Sequence, residues 1–392
     1  MFKYNPPTTP YIWSRDEFAR KYIHNIERAF LYLTEKCNLK CRACYVNAGE
    51  KYCQEADYSL MRDAVYSSKS YGAKSIIIMG GEPTIWPHFF DLLKYTLDNN
   101  LHIVIDSNGD LPAQQIIKRI INEIPNGNQR IRLNFSIDSH IEEKHNVARG
   151  RKNNFKNLIN TIKIAKSNNF IVSTATTVTS ETVNDLLDTF NFLENLGVNE
   201  ANVHIMSLEG RALQISNLLV PPDIWLKTID KIFEIGPRNN LNLRFPLVFL
   251  PKDSKKASKI IEKYNLKNTS LCIGCIGINQ TDRIGVRPNG QIHVCGLVGF
   301  TDLAAFQVTS KGNLITRTKK AYKGKTKSEL DLYKYYKKNP NEGCQATKLQ
   351  NELYPGYITL CRHIKVIIPA KSHKEDYFKK QHPGNCNFLN DK

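Results

Sequence analysis

The chain has 392 residues, 41% hydrophobic and 23% charged, which is long enough to bury a large core and to divide into two domains. No apolar run reaches the roughly eighteen residues of a membrane span, and MFKYNPPTTPYIWSRDEF lacks the apolar stretch of a secretory signal, so the expectation is a cytoplasmic protein without membrane contact. The net charge of +18 leaves two accounts open: a surface that attracts acidic peptides, nucleic acid or phosphate-bearing substrates, or an AT-rich coding sequence that favours Lys, Asn and Ile.

Residues 1–26 hold Pro6, Pro7 and Pro10 with little periodicity and read as an N-terminal arm. A regular alternation then begins. Apolar runs near 29–34, 75–79, 101–105, 131–136, 171–178 and 202–206 predict strands, and segments near 57–71, 87–99, 112–124, 154–168, 181–196 and 222–236 predict helices. Six strand–helix units in series imply a parallel sheet with right-handed crossovers, and ligands of such sheets bind at the carboxyl ends of the strands. The rhythm is expected to stop after about Pro237, giving a barrel domain over 27–237 and a second domain over 238–392.

The first strand leads into Cys37, Cys41 and Cys44, spaced C-x3-C-x2-C. Thiolates suit iron–sulfur clusters or zinc, and a closed site of either kind takes about four ligands, so three leave one metal corner open. No histidine stands near the cysteines to complete a tetrahedral zinc site, the closest in sequence being His24 and His88. A [4Fe–4S] cluster with one unligated iron is therefore the better reading.

At the end of the second strand stands Gly80-Gly81-Glu82-Pro83. Together the two motifs resemble the signature of the radical S-adenosylmethionine (SAM) enzymes, in which C-x3-C-x2-C follows the first strand and GGEP the second. Ala43 departs from the pattern, standing where the family often has an aromatic residue, and Tyr45 is the alternative shield for the cluster. The resemblance implies that the open iron chelates SAM and that reductive cleavage gives a 5′-deoxyadenosyl radical. It further implies that Gly80 and Gly81 let the backbone approach the methionine moiety and that Glu82 accepts from its ammonium group.

Further along, Ser107-Asn108-Gly109 follows the third strand. Ser136-Ile137-Asp138 ends the fourth and leads to His145-Asn146-Val147-Ala148-Arg149-Gly150. The last two stretches resemble the S-x-D and H-D-x-x-R-G elements of radical SAM enzymes with a C-terminal SPASM or twitch extension, with Asn146 in place of the usual aspartate. By that similarity Ser136 and Arg149 hold the ribose or carboxylate of SAM and Asn108 assists. Gly210-Arg211-Ala212 after the sixth strand resembles another short element of the subfamily.

Beyond Pro237, two alternating runs, Arg283–Val286 and Gln291–Cys295, flank Pro288-Asn289-Gly290, a strong hairpin signal. From Cys275 the spacing C-x14-G-x4-C runs through Gly290 to Cys295 and resembles the first half of the SPASM and twitch pattern. One auxiliary [4Fe–4S] cluster is implied, with ligands among Cys275, Cys295, Cys344 and Cys361 and with Cys272 a rival to Cys275. Cys53 and Cys386 read as ordinary thiols. Residues 311–340 carry ten Lys or Arg against two acidic residues, interleaved with tyrosines, which is compatible with nucleic-acid binding or with a solvated insertion.

The fold expected is α/β: a partial (β/α)6 TIM-type barrel with a C-terminal SPASM/twitch-like α+β extension built from a β-hairpin and helices. The function implied is hydrogen abstraction from a ribosomally made peptide undergoing crosslinking, epimerisation or oxidation. The alternatives are a small molecule such as an amino-sugar or nucleotide, or RNA. A reducing partner such as flavodoxin or ferredoxin would supply electrons.

Overall fold

A computed structural model of the chain describes residues 26–49, 53–264, 283–293, 306–308, 314–316, 352–360 and 365–372. The arm before Ile26 and most of the basic 311–340 stretch lie outside the described residues. So do Cys272, Cys275, Cys295, Cys344, Cys361 and Cys386.

The strands are β1 (Arg28–Tyr32), β2 (Ser75–Met79), β3 (His102–Ser107), β4 (Ile131–Ser136), β5 (Ile171–Val178), β6 (Glu200–Ile205) and β7 (Asn242–Pro246). Each pairs in parallel with the next. Between them run α1 (Tyr58–Ser70), α2 (Phe89–Asp98), α3 (Leu111–Glu123), α4 (Glu142–Arg149), α5 (Asn154–Ser167), α6 (Leu186–Asn195) and α7 (Pro222–Ile235). After β8 (Phe249–Pro251) and α8 (Ser254–Lys263) come β9 (Arg283–Val286) and β10 (Gln291–His293), then β11 (Phe306–Val308), β12 (Leu314–Thr316), β13 (Tyr357–Thr359) and β14 (Lys365–Ile368). The main sheet has twelve strands in the order β12-β11-β10-β9-β1-β2-β3-β4-β5-β6-β7-β14.

One feature departs from the sequence reading and one agrees with it. The strand–helix alternation does not stop at Pro237: β7 continues it, so the expected boundary between 237 and 238 falls in the connection into a strand of the same sheet. The expected hairpin forms, with Ile292 opposite Val286, and its first strand lies parallel to β1, which carries the sheet past its first edge.

Local chemistry explains the elements. Asp57 caps α1 by accepting from the backbone N–H groups of Ser59 and Leu60, a contact worth about 1 kcal/mol. Proline in the first turn starts α3 and α7, where its missing N–H costs nothing. Residues on one face of each strand, such as Leu31, Ile78, Ile105, Leu133 and Val203, are fully or almost fully buried beneath the helices. Burying each contributes about 1.5–3 kcal/mol.

The alternate residues face inward and differ in kind. Tyr32, Asp106, Asn134, Ser173 and Glu200 line a cavity of about 1070 Å³ enclosed by the curved sheet. The period of two thus separates an apolar outer layer from an inner face that sets polar side chains among apolar ones such as Phe30, Ile77 and Val104. Among the described residues, no helix is long and apolar enough to cross a membrane.

Candidate functional site

The loop from Leu33 to Gly49 joins the end of β1 to the rest of the barrel and carries the three cysteines. Backbone bonds hold it to the end of β2: Leu33 N–H donates to Met79 O (2.9 Å), Gly81 N–H to Thr34 O (2.6 Å) and Glu82 N–H to Lys36 O (2.9 Å). At Gly81 an added Cβ would stand 2.2 Å from Lys36 O, and at Gly80 one would stand 2.5 Å from Thr34 O. The close approach these glycines permit is thus to the backbone of the cysteine loop itself.

Cys37, Cys41, Cys44, Tyr45, Gly80, Gly81, Asn108, Ser136 and Arg149 all line the one cavity. Each sulfur is met by an N–H donor. Cys37 Sγ accepts from Leu39 N (3.4 Å), with Asn108 Nδ2 at 4.0 Å; Cys44 Sγ accepts from Ala48 N (3.4 Å); and Arg149 Nη1 reaches Cys41 Sγ at 3.9 Å. Burial, with Glu82 close by, pushes the Cys37 thiol up to about 12, and burial raises Cys41 against the pull of the Arg149 guanidinium. Such thiols ionise only when a cation arrives with its own charge. Among the described residues, no three His, Cys, Asp or Glu side chains converge tightly enough to hold one metal ion. A cube would ask for a wider spacing than a single ion does, because each thiolate would meet a different iron.

Glu82 and Pro83 sit behind the cavity wall. The Glu82 carboxylate is fully buried and accepts from Thr84 N (3.2 Å), Thr84 Oγ1 (2.5 Å), Ser107 Oγ (2.9 Å) and Asn108 N (2.9 Å). It ties the GGEP turn to the end of β3. Asn108 in turn donates to Asn38 Oδ1 (2.8 Å), and Asn38 donates to Asp110 Oδ2 (2.8 Å), so the loop between Cys37 and Cys41 is anchored to the start of α3.

Arg149 is held by Asp138, Nη2 to Oδ1 at 2.8 Å, and Asp138 also accepts from Thr177 N (3.0 Å). The buried His145 ring accepts from Asp138 N at Nδ1 (3.3 Å) and lies 2.9 Å from Asn154 Oδ1 at Nε2. Burial lowers its pKa to about 4, so it is neutral at physiological pH. Asn146, the departure from the resembled motif, caps α5 by accepting from Phe155 N at 2.9 Å. Ala43 packs beside Met206, Leu208 and Ala212, while Tyr45 is hydrogen-bonded to Tyr32, hydroxyl to hydroxyl at 3.3 Å. Cys53 and His88 do not line the cavity.

A polar ladder across the inner faces of β3 to β7 escaped the sequence reading. Asn134 donates to Asp106 (2.8 Å), Ser173 to Asn134 (3.0 Å) and Arg132 to Ser173 (3.2 Å); Glu200 pairs with Arg132 (3.0 Å) and Arg244 (3.5 Å). Its signal was present: polar residues at every second position of otherwise apolar strands. Burial raises the Asp106 carboxyl to about 6, against the opposing pull of Asn134 and Arg132. Because the folded state holds that proton more tightly than the unfolded chain does, the stabilisation is complete below pH 3.8 and is lost as pH rises through about 6. The variant Asp106→Asn should flatten that part of a denaturant-midpoint profile; an unchanged slope between pH 4 and 6 would remove the assignment.

A family model described as the radical SAM superfamily matches residues 31–193, the span that contains the cysteine loop, the GGEP turn and Arg149. The AdoMet-dependent heme synthase of Methanosarcina barkeri (strain Fusaro / DSM 804) is 26% identical over 275 residues, 67% of this chain and 75% of that protein. The sporulation killing factor maturation protein SkfB of Bacillus subtilis (strain 168) is 27% identical over 167 residues, 43% of this chain and 39% of that protein. In fold, the chain is similar to Streptococcus suis SuiB, solved bound to precursor peptide SuiA, with a TM-score of 0.55 at 14% identity over 83% of this chain and 70% of that one. The radical SAM family uses a [4Fe–4S] cluster and SAM. Residues 31–193 are a radical SAM domain.

Proposed function

We propose that Cys37, Cys41 and Cys44 hold a [4Fe–4S] cluster, that SAM binds in the adjoining cavity, and that the substrate is a ribosomally made peptide. The observation that carries this reading is the meeting of three half-buried thiols, each faced by an N–H donor, with Gly80, Gly81, Asn108, Ser136 and Arg149 in one cavity. The donor set fits the cluster: soft ligands, no competing hard ligand among them, and hydrogen bonds that stabilise sulfur-borne charge. When bound, cluster and SAM together supply a carbon-centred radical able to take a hydrogen atom from an unactivated carbon.

The chain's own residues orient and shield. The Arg149 guanidinium, fixed by Asp138, places positive charge beside Cys41 at the cavity wall, where it would attract a carboxylate. Ser136 presents a hydroxyl at the end of β4, and Asn108 an amide beside Cys37. Glu82 keeps the GGEP turn in register with β3. Tyr45 and Tyr32 close one wall and keep water from the thiols. Cys275, Cys295, Cys344 and Cys361, with Cys272 as the rival for the first position, are proposed to bind one auxiliary cluster. A chain carrying both clusters would hold roughly eight irons. A flavodoxin or ferredoxin in the cytoplasm would supply the electrons.

The likeness to SkfB supports a peptide substrate. A small-molecule substrate is the second reading, favoured by the larger share of this chain matched by the AdoMet-dependent heme synthase, 67% against 43%. Incubation of reduced, reconstituted protein with SAM and peptides encoded beside it should release deoxyadenosine and change a peptide's mass or stereochemistry. Deoxyadenosine release with every such peptide unchanged would transfer the assignment to the small-molecule reading.

A further inference from the structure

Gly210 and Arg211 open the 3₁₀ segment Gly210–Leu218 that follows β6. Gly210 has φ +55°, and a Cβ there would stand 2.4 Å from Cys44 O and 2.6 Å from Tyr45 O, so the backbone presses directly on the cysteine loop. Arg211 then makes three bonds to that loop. Its backbone N–H donates to Cys44 O (3.0 Å), its Nε to Cys41 O (2.9 Å) and its Nη1 to Ala48 O (2.8 Å). These carbonyls belong to an irregular segment with no strand partner, and each needs a donor. A guanidinium presents several N–H groups in one rigid plane and can span two carbonyls seven residues apart in sequence; an ammonium is a single point.

The bonds reach the sulfurs. Ala48, whose carbonyl Arg211 holds, donates its own N–H to Cys44 Sγ at 3.4 Å, and Cys41, whose carbonyl Arg211 also holds, is the thiol faced by Arg149. We infer that Arg211 is a positioning residue that fixes residues 41–48 so that the Cys41 and Cys44 thiols face the cavity before any iron is bound. This rests on the cluster reading above only in what the fixed loop is for. Arg211, Ile215 and Leu218 also line the cavity, so the segment that grips the loop is part of the wall a substrate would meet.

The test compares Arg211→Met, which keeps length and removes every side-chain donor, with Arg211→Lys, which can serve one carbonyl at a time. Hydrogen exchange across residues 41–48 in cluster-free protein should quicken about tenfold in Arg211→Met and less in Arg211→Lys. After anaerobic reconstitution, iron and sulfide per chain should fall several-fold in Arg211→Met with partial recovery in Arg211→Lys, and the electron paramagnetic resonance spectrum of the reduced protein should broaden. Exchange and iron uptake both equal to wild type in Arg211→Met would overturn the inference. Should Arg211→Met fail to fold, wild-type behaviour of Arg211→Lys in both measurements overturns it instead. A wild-type protein that takes up no cluster would sink the cluster reading, while loop exchange would still decide the role of Arg211.

Discussion

Alanine at Cys41 should yield a folded protein that acquires no iron at the first site and releases no deoxyadenosine above background, a loss of at least about 10³-fold. The same holds for Cys37 and Cys44. On the proposed ligation three thiols would leave a single corner of the cube for SAM, so the loss of one would leave two protein ligands and a second exposed iron. Folding should survive, because the loop is held by backbone bonds at Thr34, Glu35 and Lys36 and by the side chains of Asn108 and Arg211, none of which needs the sulfurs. A small half-buried side chain exchanged for alanine costs on the order of 1 kcal/mol. Cys53→Ala is the control, since that thiol lies away from the cavity lining and should retain iron and turnover. Visible absorbance, iron analysis and chromatography of the nucleoside products check all four variants. Turnover by any of the three loop variants would end the assignment.

What could be read from the sequence was set by periodicity and by motif. All six expected strands match β1 to β6 within about two residues because each holds a short apolar run bounded by turn residues, Ser75–Met79 most clearly. The sixth, expected to begin at 202, starts at Glu200, a charged residue that earns its place in a strand only by pairing with Arg132 and Arg244. Helix α4 escaped notice since Glu142–Arg149 buries only His145 and so shows no apolar stripe. Strand β7 was missed because Asn242 and Pro246 bound a run too short to stand out, and its place is decided by pairing with β6. The cysteine loop and GGEP turn were legible as motifs. What braces them was not: the grip of Arg211 on Cys41 O and the bond from Asn108 to Asn38 join residues 170 and 70 positions apart, a relation that only closure of the barrel creates.

The same closure makes Gly81→Ala a severely damaging single-methyl change in the barrel. The added carbon would meet Lys36 O at 2.2 Å, Lys36 C at 2.7 Å and Glu35 O at 2.9 Å, and all three are backbone atoms that cannot swing aside as the end of a side chain can. Relief requires the cysteine loop to move away from β2, which breaks the bonds from Gly81 N to Thr34 O and from Glu82 N to Lys36 O. Overpacking of this kind costs about 3 kcal/mol, and the displaced segment leads directly into Cys37. We therefore expect Gly81→Ala to lower the midpoint of denaturant unfolding clearly and to reduce iron uptake with it, whereas Gly356→Ala, with nothing within 4 Å of the new carbon, should do neither. Parallel loss of stability and iron in the first variant would show that the glycine pair serves the seating of the loop. A Gly81→Ala protein of normal stability that binds iron but not SAM would instead place the pair against the methionine moiety, as the sequence motif alone implies.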